Sequence, residues 1–196
     1  MDYTYKLPSE RLQLQASVDD IVSVLECDTY SRKYITRMFY GKDHVTALDI
    51  LREEKIDAFS RIHTVLALNF LSEREKMHIS LDCIESIIPF LSSSKHKELA
   101  ESALEDLRMA VETDVLKDYK NLEKRLNEAY ESLSPDKERI VFEALLKPFT
   151  VDFHSVPASV ASCARILFGH DEESRLSAAK DQVHYLIAHL QKKSVA

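Results

Sequence analysis

Ser72-Glu73-Arg74-Glu75-Lys76-Met77-His78-Ile79-Ser80-Leu81-Asp82-Cys83-Ile84-Glu85-Ser86-Ile87-Ile88-Pro89 is the stretch whose reading decides the fold. Ser72 followed three residues later by Glu75 is a capping box, in which the hydroxyl and the carboxylate satisfy the first orphan amides of a helix reciprocally. Ile79, Leu81, Ile84, Ile87 and Ile88 then give a strongly apolar helix, and Pro89, lacking an amide hydrogen, kinks or ends it. This helix is expected at the centre of the core.

Working upstream, Asp57 caps a helix carrying Ile62, Val65 and Leu66, and Thr46 caps one carrying Ala47, Leu48, Ile50 and Leu51. Tyr30 to Tyr40 places Tyr34, Ile35, Met38 and Phe39 on an apolar face, with Gly41 as a left-handed stop. Ser17, three residues before Asp20, opens a short helix that ends near Cys27. Residues 1–16 are polar, begin with aromatics, and read as an N-terminal arm.

Downstream, Ser94 opens a helix built on Ala100, Ala103, Leu104, Leu107 and Val111. Thr113 is the next cap. Val115, Tyr119, Leu122, Leu126, Ala129 and Leu133 step by fours and threes, which makes an antiparallel packing seam within the chain or a short coiled coil. Ser134-Pro135 starts a helix holding Ile140, Val141, Ala144 and Leu145, and Pro148 stops it. Phe149 to His154 reads as an extended connection, Pro157 to Phe168 as a helix closed by Gly169, and the last helix carries Leu176, Ala179, Val183, Leu186 and Leu190. The expected architecture is all-α: a single multi-helix bundle of short antiparallel helices over residues 17–196.

Composition agrees. The 196 residues contain two glycines, which disfavours tight hairpins and phosphate-cradling loops. A formal net charge of −7 disfavours nucleic acid as a partner, because phosphate binding needs a concentrated positive face. No apolar run approaches a bilayer span and the first residues lack signal-peptide character, so a cytoplasmic setting without membrane association is expected. Cys27, Cys83 and Cys163 are odd in number and widely spaced, and they read as small core residues rather than disulfide or zinc ligands.

The search for chemistry is largely negative. No phosphate loop, dinucleotide fingerprint, nucleophile elbow or zinc-protease motif is present, and no cofactor is implied. His184 and His189 lie about 140° apart on a helix, a poor ligating pair. Asp82 and Glu85 beside Cys83 oppose the thiolate a nucleophile needs.

The runs Ala47-Leu48-Asp49-Ile50-Leu51, Arg61-Ile62-His63-Thr64-Val65-Leu66, Phe70-Leu71-Ser72-Glu73-Arg74, Leu81-Asp82-Cys83-Ile84-Glu85 and Pro89-Phe90-Leu91 resemble helical immunity proteins of bacterial polymorphic toxins, immunity family five. The likeness extends through Ser94 to Thr113. Asp82, Cys83 and Glu85 keep the family's central-helix pattern, whereas Ile84 replaces its alanine and His63 stands where relatives often carry tryptophan. The resemblance implies a non-enzymatic antidote that occludes a cognate toxin. Read structurally, the same positions are a buried cysteine flanked by carboxylates that face solvent or pair with Arg61 or Arg74.

The residues therefore point to a non-catalytic module that binds a protein partner, with Glu53, Glu54 and Asp57, clustered at a helix junction, as the expected steering surface. A helical adaptor or chaperone is the second reading. A divergent enzyme, the third, would need His154, His184 or His189 beside a carboxylate in a pocket.

Overall fold

The computed structural model describes residues 3–4, 14–25, 30–68, 70–134, 137–149 and 172–193. The protein is all-α. It gathers into two compact units, Met1–Ser9 with Glu73–His170, and Glu10–Ser72 with Asp171–Ala196. No shift of composition announces this division, which falls at the helix start read from Ser72.

In the first unit α5 (Glu73–Ile87) begins directly after Ser72 and runs into a 3-10 turn at Ile88–Phe90, where Pro89 ends the α-helical ladder. Ile79, Leu81, Ile84, Ile87 and Ile88 are all buried. Leu81, Ile84, Ile87 and Ile88 share one core with residues of α6 (Ser94–Thr113), which Ser93 caps by accepting from the His96 amide, and of α8 (Lys137–Leu146). Between these, α7 (Tyr119–Ser132) packs on α8 and α6, and Leu122, Leu126 and Ala129 enter the same core. The four-three seam is thus filled within the chain. The second 3-10 turn, Lys147–Phe149, places Pro148 at the stop.

Two expectations here need correction. Thr113 caps nothing: it is the last residue of α6, and its hydroxyl donates to the Met109 carbonyl. Val115 is not in the helical seam but exposed in a two-residue strand, Val115–Leu116, paired antiparallel with Tyr3–Thr4. The cause is backbone geometry on either side. Asp114 (φ 57°) and Asp118 (φ 47°) both adopt the left-handed conformation, which interrupts the helix. Aspartate tolerates this region because its short side chain bonds locally, so a glycine-poor chain still turns sharply.

The second unit starts with Ala16–Ser17, paired antiparallel with His44–Val45. The Ser17 hydroxyl accepts from the Asp20 amide at 3.1 Å while the Ser17 amide donates to the Asp20 carboxylate at 2.9 Å, so the box heads α1 (Val18–Leu25) as expected. Ser31 caps α2 (Arg32–Met38), and Gly41 takes φ +81° in the turn beyond it. On α2 only Ile35 is fully buried. Tyr34 is exposed and stacks on Tyr30 at 6.3 Å. Thr46 and Asp49 form a complete capping box on α3 (Ala47–Arg52), and Asp57 caps α4 (Ala58–Ala67). The last described helix, α9 (Glu172–Lys193), packs on α4 and α3 through Ala179, Val183 and Leu186.

The N-terminal arm is described only in part, and the Pro135 helix start, the extended connection beyond Phe149, the Pro157–Phe168 helix, Gly169, Cys27 and Cys163 lie outside the described residues. Among the described residues no helix is long and apolar enough to cross a membrane.

Candidate functional site

Among the described residues each unit carries a concave site. In the first, α5 and α6 enclose a groove of about 480 Å³ floored by the buried side chains of Ile88 and Leu104 and edged by Pro89. Its charged lining is Glu85, Glu101, Glu105 and Arg108. Residues 101, 105 and 108 recur at helical neighbour spacing on α6, so one face presents them together. Arg108 Nη2 lies 2.9 Å from Asp82 Oδ1 and 2.9 Å from Glu85 Oε2. Burial would lower the Arg108 pKa, but the two carboxylates outweigh it and hold the guanidinium more firmly charged. Glu101 and Glu105 are exposed one turn apart, and among the described residues neither makes an ion pair. Adjacent like charges on a helix cost a few tenths of a kcal/mol, roughly, when nothing neutralises them.

In the second unit α3, α4 and α9 surround a cleft of about 610 Å³. Leu51, Val183 and Ile187 give it apolar walls. Arg52, Arg61, Lys180, His184 and Glu54 supply the polar lining. Residues 180, 183, 184 and 187 follow the three-four spacing of one helix face, which explains why α9 contributes both wall and rim. Arg61 is the group at depth, 8% exposed. Its Nη1 donates to the Leu51 carbonyl at 2.5 Å, satisfying one of the orphan acceptors at the end of α3. Its Nε is buried without an acceptor, and among the described residues no carboxylate lies within ion-pair distance of it. A buried N–H left unmade costs about 1–3 kcal/mol, and more when the group is charged.

The positions singled out from sequence fall differently from expectation. Asp82 and Glu85 do meet a cation, but it is Arg108, not Arg61 or Arg74. Arg74 instead reaches Glu112 and Asp114 at the end of α6, where His78 Nε2 also lies 3.0 Å from Glu112 Oε1. Cys83 is half-buried against the core rather than fully enclosed.

Glu53, Glu54 and Asp57 share the α3–α4 connection, yet only Glu54 is exposed. Glu53 accepts from the Lys55 amide. Asp57 accepts from the Ser60 amide and hydroxyl and from the Tyr30 hydroxyl at 2.8 Å. Burial would raise its pKa, and these hydrogen bonds bring it below the usual carboxylate value. Of the histidines, His184 is on the cleft rim, His189 is not in the lining, and His154 lies outside the described residues. Glu54 and His184 line the same cleft without hydrogen-bonding each other. Among the described residues no three His, Cys, Asp or Glu side chains are grouped to hold a metal ion.

One feature went unread. Glu73 and Lys76, to which the sequence assigned no role, turn inward and form a buried ion pair with Nζ 2.6 Å from Oε1.

Compared with known protein families, curated proteins and solved structures, the chain matches none.

Proposed function

We propose that the protein is a non-catalytic binding module whose α5–α6 groove receives a basic segment of a protein partner. The observation that carries this reading is the groove's lining: three carboxylates, Glu85, Glu101 and Glu105, around one guanidinium, Arg108, over an apolar floor. Arg108 is already engaged by Asp82 and Glu85, so Glu101 and Glu105 remain available to a lysine or arginine from outside. The apolar floor supplies area for the aliphatic stem of such a side chain. A cognate toxin is the specific partner suggested by the likeness to immunity proteins around Asp82, Cys83 and Glu85, of which Glu85 lines this groove and Asp82 bonds its Arg108.

The test is the double variant Glu101→Gln, Glu105→Gln, assayed against a partner purified by its association with the wild type. Both side chains are exposed, so thermal stability should stay within about 0.5 kcal/mol. Association should slow by roughly tenfold at low salt, and its dependence on salt should flatten. Unchanged rates and salt slopes would reject the groove as the docking surface. Protection of growth on co-expression with a toxin encoded beside the gene would support the antidote role.

A further inference from the structure

We propose that the cleft between α3, α4 and α9 is a binding site for a small organic anion, an oxyanion such as a carboxylate or phosphate monoester on an apolar body, with Arg61 as its counter-ion. This site is separate from the groove proposed for a protein partner and does not depend on it.

Three observations converge. The first is charge: Arg52, Arg61 and Lys180 line the cleft against a single carboxylate, Glu54, whereas the chain as a whole carries −7. The local sign is therefore opposite to that of the molecule. The second is Arg61 itself. It is more than nine-tenths buried and holds one hydrogen bond, to the Leu51 carbonyl, while its Nε–H has no acceptor and no carboxylate compensates its charge among the described residues. A desolvated cation without a partner is costly, and an arriving oxyanion supplies both the opposite charge and hydrogen-bond acceptors in the fork geometry guanidinium favours. The bond to Leu51 fixes one arm of the guanidinium, so less freedom is lost when a ligand binds.

The third is shape. A cavity of about 610 Å³ lies within the size range of small-molecule sites, which are mostly apolar with a few convergent polar groups. Leu51, Val183 and Ile187 supply the apolar part, and Lys180 and His184 stand one turn apart on the α9 rim. Inorganic phosphate alone would leave those walls uncovered, which is why an organic body is specified. The walls also distinguish this site from a flat basic patch, which would serve an extended polyanion.

Calorimetric titration of the full chain with benzoate, phenyl phosphate, benzamide and inorganic phosphate tests the proposal. At least one of benzoate and phenyl phosphate should bind in the millimolar range or tighter, and which of them is tighter identifies the oxyanion. Benzamide, matched in shape but neutral, should bind at least about tenfold more weakly. Arg61→Gln should reduce anion binding by about tenfold or more. Because that variant also removes the tie to Leu51, the exposed rim changes Arg52→Gln and Lys180→Gln provide a second readout, each expected to weaken binding severalfold without loss of fold. Benzamide binding as tightly as benzoate, no binding by either organic anion, or affinities indifferent to all three substitutions would overturn the proposal. Inorganic phosphate matching phenyl phosphate would remove the role of the apolar walls. A tetraglutamate peptide binding more tightly than either organic anion would replace the small ligand with an acidic protein segment.

Discussion

Replacing Lys76 with methionine tests the energetic logic of the first unit. The two side chains keep similar length, so packing changes little, but the ammonium that neutralises Glu73 is lost. Glu73 and Lys76 are 2% and 1% exposed and 2.6 Å apart, so no water replaces the missing charge without local opening. Breaking a buried pair by removing one partner costs about 3–5 kcal/mol. Glu73 occupies the first position of α5, where the helix's N-terminal partial charge returns up to about 1 kcal/mol to a carboxylate. The expected net loss is about 3 kcal/mol, a large part of the roughly 5–15 kcal/mol that holds a domain folded. Urea titration followed by far-ultraviolet circular dichroism should show the unit's midpoint lowered by about 1.5 M for a slope near 2 kcal/mol per M. The double variant Glu73→Leu, Lys76→Met removes both charges and should recover most of the loss, since an apolar pair of similar volume often replaces a buried ion pair at little cost. A single variant within about 0.5 kcal/mol of wild type, or a double variant less stable than the single, would refute the reasoning.

Ile84 is fully buried at the α5–α6 contact, and Ile84→Ala should cost about 2–5 kcal/mol in the same titration; a change of surface size would place the core elsewhere. Asp49 is held at about 2 from an ordinary 3.8, because hydrogen bonds from Lys42 and from the Thr46 amide and hydroxyl outweigh the burial that would raise it. A depressed carboxylate contributes stability that is present above its unfolded value and lost as pH falls through the folded one, here from about 4 toward 2. Asp49→Asn should thus cost about 1 kcal/mol at neutral pH, screened because the carboxylate is one-third exposed, and the difference from wild type should vanish toward pH 2. A pH-independent difference would reject the assignment.

The elements that were legible in sequence are those whose causes are local. Ser17 with Asp20, Thr46 with Asp49, and Asp57 with Ser60 each close a helix start within three residues. The apolar period of Ile79 to Ile88 needs only one helix to be read. Val115 was misread because the four-three count extends smoothly backward from Tyr119, while the left-handed Asp114 and Asp118 that break it are a backbone choice that periodicity does not register. Long-range partners were less legible still. Arg108 lies 26 and 23 residues from Asp82 and Glu85, and nothing in the intervening sequence distinguishes it from Arg61 or Arg74 until α5 and α6 are packed.

The same physics explains why net charge was a poor guide to the sites. The value of −7 sums over the chain, but a ligand responds to the charges within about one Debye length, roughly 8–10 Å in physiological salt. At that range the α5–α6 groove is acidic and the α3–α4–α9 cleft basic. Arg61 and Lys180 are 119 positions apart in sequence and share a cleft only because α9 returns to α4. Excluding nucleic acid on net charge therefore concerns an extended phosphate chain, which needs a continuous positive face to release counterions. It does not bear on one oxyanion, which needs a single desolvated guanidinium and a wall to lie against.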